Sequence, residues 1–315
     1  MKTMRPRARR TVVGFAAALA FVAGGTAAVA ASTVSHVSAR SSAQAIAAHR
    51  TEQAARARAS LLRYLSEGYR PQADLARDGG LRPSSPNLNA GSKATAQVGS
   101  VGSYNWSGYA DTSAAGTFTA VSGSWRQPAT VCSQEQRLTA FWIGLDGYSD
   151  STVEQDGTLA YCFEGVPSYY SWWEMYPGNS VTVGSTVRPG DLISASVTVA
   201  DGTSYTLSLT DSTTPANSFS TVQTCLPAGT CQNSSAEWIA ERPAFQVGIT
   251  PLSFFLNWSL TNGSQTSDGT KGSIGFGPNA TKITMVDATL TYPLVSISAP
   301  RSGGTGFGAH WLNSY

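Results

Sequence analysis

The rhythm of hydrophobic and polar positions changes three times along this chain. Residues 11 to about 30 form one nearly continuous apolar run. Residues 43–69 are rich in Ala and Arg, have few β-branched residues and contain no Gly or Pro before Gly68. Leu61, Leu62 and Leu65 give that stretch a modest apolar stripe, and the pattern predicts a helix. Gly, Pro, Ser and Asn then dominate residues 79–103, the composition of a linker. From Tyr104 onward, short runs of Val, Thr, Ile, Tyr, Phe and Trp alternate with Gly, Ser, Asn and Asp. Strands are predicted over 117–125, 140–145, 169–176, 192–199, 203–209 and 282–292. Many short strands with frequent turn signals predict an all-β sandwich or barrel.

Charge divides the chain at nearly the same place. Residues 1–100 hold 14 Lys and Arg against 4 Asp and Glu, and residues 101–315 hold 7 against 15. The apolar run follows a basic head of Lys2, Arg5, Arg7, Arg9 and Arg10 and ends in Ala28-Val29-Ala30. This is the layout of a signal peptide over residues 1–30, and Arg9-Arg10 is compatible with a twin-arginine signal. Residues 31–100 then read as a pro-segment and linker, and 101–315 as the mature domain. A basic leader beside an acidic domain predicts electrostatic docking that weakens in acid; the bland alternative is a cell-wall spacer. No later run reaches the ~18 apolar residues of a membrane span, so the processed protein is expected to be soluble, secreted and monomeric. All four cysteines lie in the acidic part. An even count in an exported chain reads as two disulfides. Cys132–Cys162 with Cys225–Cys231 is the simplest of three connectivities.

Elimination narrows the chemistry. His310 is the only histidine after His49, which leaves a Ser-His or Cys-His site without a base placed by the fold. Neither a metal-ligand motif nor a Gly-rich phosphate loop is evident, so no cofactor is expected, and an acidic domain is a poor partner for nucleic acid. Asp111-Thr112-Ser113 and Asp211-Ser212-Thr213 look like the paired aspartates of pepsin-like enzymes but read better as turns. Carboxylate, amide and aromatic chemistry remain. In residues 169–177, strand alternation puts Tyr170, Trp172, Glu174 and Tyr176 on one face. An acid among aromatic rings is partly desolvated, which raises its pKa and suits general acid–base work. The plain alternative is a strand glutamate paired with an arginine. A second segment runs from Phe141 to Gly147, and Val153-Glu154-Gln155-Asp156-Gly157 follows. There Gln155 faces away from Glu154; alone, it would be an ordinary strand residue.

Taken together, these segments resemble the glutamic peptidases, or eqolisins. The resemblance rests on Trp142-Ile143-Gly144-Leu145-Asp146-Gly147, Gln155-Asp156-Gly157 and Trp172-Trp173-Glu174-Met175-Tyr176-Pro177. Asn105-Trp106-Ser107-Gly108 and Ala236-Glu237-Trp238-Ile239-Ala240-Glu241 are further echoes. It implies two curved, stacked antiparallel sheets of the concanavalin-A-like kind, with the site on a concave face. It also implies an acid-active endopeptidase acting on protein and peptide substrates. Gln155 and Glu174 match the catalytic pair, as oxyanion donor and general base/acid. Trp142, Asp146 and Trp106 match positions near the cleft, and Trp172, Tyr170 and Tyr176 are expected to bind substrate. Met175 and Asp156 depart from the usual pattern without removing a reactive group. The rivals are a glycoside hydrolase with Glu164 as the second carboxylate and a carbohydrate-binding module using Trp172 and Trp173.

Overall fold

A computed structural model describes residues 44–53, 55–61, 63, 99–225, 230–245, 248–275, 279–289 and 292–314. The signal-peptide stretch and most of the linker lie outside the described residues. The chain divides into two units, Met1–Thr51 and Glu52–Tyr315. In the first, residues 44–51 are helical. The second begins with helical residues 52–53, 55–61 and 63, within the predicted helix, and continues into β-structure.

Eighteen strands follow among the described residues. They are β1 (Gly99–Ser103), β2 (Trp106–Thr112), β3 (Phe118–Arg126), β4 (Arg137–Leu145), β5 (Val153–Phe163) and β6 (Val166–Tyr176). Next come β7 (Val181–Thr182), β8 (Leu192–Val199), β9 (Ser204–Asp211), β10 (Phe219–Thr224), β11 (Ser235–Glu241) and β12 (Ala244–Phe245). The last are β13 (Gly248–Ile249), β14 (Asn257–Ser267), β15 (Thr270–Ser273), β16 (Thr281–Met285), β17 (Val295–Ile297) and β18 (Phe307–Trp311). One sheet has the order β1-β16-β2-β11-β4-β5-β6-β7, and the other β10-β9-β8-β3-β14-β18-β17 with β15 paired to β14. Both are antiparallel except where β1 runs parallel to β16.

Alternation explains the sandwich. In β8 and β9, Ile193, Ala195, Val197, Tyr205, Leu207 and Leu209 are buried between the sheets, while Ser194, Ser196, Thr206 and Ser208 face outward and are half-buried, with Thr198 exposed. The opposing sheet contributes Phe141, Ile143 and Trp238 to the same core. Phe141 meets Phe255 edge-on with centroids 5.3 Å apart, and Trp258 meets Phe307 at 5.5 Å. Two indoles also tie the sheets by hydrogen bonds. Trp238 Nε1 donates to the Ser122 carbonyl at 2.8 Å, and Trp125 Nε1 to Thr158 Oγ1 at 3.2 Å. Such bonds let large aromatic groups be buried without an orphaned donor.

Both disulfides adopt the simplest pairing, with Cα separations of 5.3 Å for Cys132–Cys162 and 5.9 Å for Cys225–Cys231. Two sequence expectations need correction. The last five residues assigned to the linker form β1: backbone pairing with β16 suffices to hold this edge strand, and Val101 is its buried apolar residue. The strand predicted over 282–292 stops at Met285, because Asp287 turns the chain by accepting the Tyr292 N–H at 3.0 Å.

Gly157 is fixed by close approach. A Cβ there would lie 2.2 Å from the Phe141 carbonyl oxygen and 2.7 Å from Trp142 Cβ. Gly157→Ala is therefore expected to destabilise the domain by about 2 kcal/mol or more, read as a lower thermal midpoint. An unchanged midpoint would show that β4 and β5 yield at no cost.

Candidate active site

The register of four strands builds the site. Gln155 lies opposite Glu174 on one side and Gly144 on the other, and Gly144 lies opposite Glu237. The next row on the same face holds Ile239, Trp142, Gly157 and Trp172, and the one after it Glu241, Ala140, Leu159 and Tyr170. Trp106, in β2 opposite Glu241, meets Trp142 edge-on at 4.9 Å. Gly157 lies between the two indole positions and gives them room. Tyr170, Trp172 and half-buried Tyr176 share the Glu174 face as alternation predicts, whereas Trp173 packs against the core on the other side.

Two hydrogen bonds organise the polar groups. Gln155 Nε2 donates to Glu174 Oε2 at 2.8 Å, and Trp142 Nε1 donates to Glu241 Oε2 at 2.8 Å. Gln155 and Glu241 have no exposed surface, and Glu174 is 1% exposed. Burial pushes the Glu174 carboxyl well above the usual range, the charge of Glu241 pushes it further, and the Gln155 amide opposes both. Glu174 Oε1 and Gln155 Oε1 have no hydrogen-bond partner among the described residues. A buried amide and carboxyl with spare acceptors, beside a second carboxylate, is a place to hold and polarise a polar reactant.

Glu241 is the group that sequence reasoning missed. It stood at the end of a matched strand and was given no role. Nothing within β11 distinguishes it from Glu237, another buried acid on the same face. The signal is non-local, in the Trp142 bond and the approach to Glu174.

Asp146 has a structural role that the motif did not announce. Its carboxylate accepts the backbone N–H groups of Gln232, Asn233 and Ser234 at 2.8, 2.7 and 2.7 Å. It thus ties the start of β11 to the end of β4 through backbone bonds. Asp111 lies in β2 and Asp211 at the end of β9, in different sheets, so no aspartate pair assembles. Asp211 accepts the N–H groups of Thr213 and Thr214, as a turn residue does. Glu164 sits exposed at the β5–β6 turn with φ 49°, ten residues from Glu174 along the hairpin. His310 is exposed on the other sheet and bonded to Asn257 at 2.7 Å.

With this geometry in view, the chain matches the Peptidase A4 family over residues 104–305 and belongs to it. It is 27% identical to aspergillopepsin-2 of Aspergillus niger over 139 residues, which are 43% of this chain and 48% of that protein. The chain thus spans about half the length of that curated relative. The fold is shared with scytalido-glutamic peptidase, solved with a peptide-based transition-state analogue: TM-score 0.56, 24% identity, covering 66% of this chain and 98% of that one. It is shared likewise with SCP-B, an eqolisin solved with the tripeptide Ala-Ile-His: TM-score 0.54, 24% identity, 66% and 98% coverage.

The acids behind the site predict how stability varies with pH. Burial and neighbouring Asp150 raise Asp146 to about 6 despite its three backbone bonds. Burial, then Asp146 and Asp150, raise Glu154 well above its usual value. Both folded pKa values exceed the unfolded ~4, so the folded state holds the extra protons. For Asp146 this stabilisation is full below about pH 4 and is lost as pH rises through about 6; the Glu154 contribution has the same sign. Thermal midpoints are expected to fall between pH 4 and 7, and Glu154→Gln to flatten the fall. Parallel curves for variant and parent would contradict this assignment.

Proposed function

We propose that this protein is an exported, acid-active glutamic endopeptidase in which Gln155, Glu174 and Glu241 divide the catalytic work. The observation that carries the reading is the buried Gln155–Glu174 hydrogen bond beside a second carboxylate held by Trp142. The two disulfides fit an oxidising, extracellular destination.

The sequence reading gave Glu174 both the base and the acid role. The geometry favours a different division. Burial and the field of Glu241 both favour the protonated form of Glu174, while the indole N–H donated by Trp142 favours the anion of Glu241. A base must be ionised, which assigns that role to Glu241. Glu241 removes a proton from a water molecule, and the water oxygen attacks the peptide carbonyl carbon. One Gln155 N–H is held by Glu174, and the other donates to the developing oxyanion. An amide remains a donor at any acid pH, and such a donor contributes about 10²-fold in rate. The tetrahedral intermediate collapses as the C–N bond breaks, and Glu241 returns its proton to the leaving amine. Neutral Glu174 orients the amide without adding a second charge. As pH rises through the Glu174 pKa, two neighbouring anions repel and the arrangement fails, so activity belongs to acid.

The helix supports a role for the pro-segment as inhibitor. Ala57 and Leu61 are fully buried in the apolar cluster that contains Trp142, Leu159, Tyr161, Tyr170 and Trp172. Among the described residues, an ion pair joins the helix to the β-domain. Arg56 and Glu164 are 3.6 Å apart with side chains 54% and 43% exposed, and such pairs contribute about 0–1 kcal/mol. Apolar burial of Leu61 alone outweighs that at roughly 2 kcal/mol.

Glu241→Gln is expected to reduce turnover of a denatured protein substrate at least 10³-fold, and Gln155→Ala about 10²-fold. Glu174→Gln should retain measurable turnover and lose the alkaline limb of the pH profile. Wild-type turnover in Glu241→Gln, with none in Glu174→Gln, would reverse the two roles. For the pro-segment, Leu61→Asp in the full-length chain should give activity before any acid treatment. Continued latency would remove the helix as the block.

A further inference from the structure

The helix also marks a part of the groove that the chemistry does not use. Ser60 Oγ accepts two hydrogen bonds from the β-domain, one from the Tyr161 hydroxyl at 2.8 Å and one from Gln136 Nε2 at 2.9 Å. The same Gln136 nitrogen lies 2.9 Å from the Tyr161 oxygen, so the two side chains form a preassembled pair. Leu61 and Ala57 occupy apolar space next to them, in one cluster with Leu138 and Leu159. Phe163 stacks on the Tyr161 ring with centroids 6.0 Å apart and partly buried, which fixes the ring's orientation.

Tyr161 shares a sheet face with the row that holds Glu241. Tyr161 lies opposite Leu138, and Leu159 opposite Ala140, which in turn pairs with Glu241. Tyr161 is thus two residues along β5 from the row that holds Glu241, a step of roughly 7 Å. All these residues share one face of the sheet. A peptide long enough to extend from the reacting bond in that direction must pass over Leu138 and Tyr161. When the helix leaves, Ser60 Oγ leaves with it, and the Tyr161 hydroxyl and the Gln136 amide each lose that one acceptor. A substrate oxygen placed where Ser60 Oγ sits would restore both bonds.

We infer that Tyr161 and Gln136 form a remote substrate subsite, which binds an acceptor oxygen beside an aliphatic side chain, in the manner of Ser60 and Leu61. The inference rests on the peptidase reading above. The acceptor is a Ser or Thr hydroxyl or a backbone carbonyl of the substrate, and the aliphatic neighbour is Leu-like. The pro-segment and an extended substrate therefore compete for the same donors. Specificity is assigned here to binding and not to turnover, because neither side chain reaches the reacting atoms.

The test uses the acid-treated full-length chain and two peptides sharing one scissile bond. One has ten residues, with a Ser-Leu pair spaced to reach the pair; the other has four. Tyr161→Phe and Gln136→Ala are each expected to raise KM for the long peptide about five-fold, the loss of one neutral hydrogen bond. Both should leave kcat for either peptide, and KM for the short one, unchanged. A synthetic peptide of residues 44–63 should inhibit the parent and lose potency against both variants. Normal turnover with an unchanged KM for the long peptide overturns the subsite and leaves the peptidase reading intact. A parent enzyme that cleaves neither peptide overturns both.

Discussion

Everything at the site depends on the register between β5 and β6. Strand side chains alternate strictly, so a slip of one residue would send Gln155 into the core and bring Asp156 to the cleft. As paired, Gln155 faces Glu174, and Asp156 points between the sheets, fully buried, with its carboxyl raised by that burial. The turn at Glu164 and Gly165, both with positive φ, closes the hairpin that fixes this pairing. Trp142 continues the register into β4, and β4 passes it to β11, where Glu241 ends the strand. The active site is thus a property of the sheet, and no single segment contains it.

That distribution explains what was legible in the sequence. Alternation made the strands visible, and it placed Tyr170, Trp172 and Glu174 on a common face. A fragment such as Trp172-Trp173-Glu174 announces itself because desolvation by neighbours in sequence can be read locally. Glu241 could not be found in this way. Its importance comes from an indole 99 residues earlier in the chain and from a carboxyl on another strand. Asp146 shows the same limit: its partners in space are the backbone amides of a segment 86 to 88 residues later, which no local pattern announces. β1 escaped because Gly and Ser carry no pattern, and edge pairing does not require one.

Desolvated acids are the molecule's main electrostatic theme. With 7 basic residues against 15 acidic ones after residue 100, most buried carboxyls cannot be neutralised by cations. Burial instead raises Glu154, Asp156, Glu174 and Glu237 above the usual carboxylate range, which favours their neutral forms inside the fold. The condition that keeps the fold together is therefore the condition in which Glu174 can remain neutral. Acid thus favours both the protonated buried carboxyls and the neutral Glu174 that the proposed mechanism uses, for one physical reason.

β1 carries a further consequence. Its parallel partner β16 joins the domain more than 180 residues later, so the entering chain is woven into the edge of the sheet that carries the site. A cut ahead of Gly99 would leave the β1–β16 pairing whole. A cut inside β1 would leave β16 as a raw edge, with unpaired backbone groups open to another strand. The position of that small strand thus sets a boundary for where the leader can be removed without creating a surface prone to association.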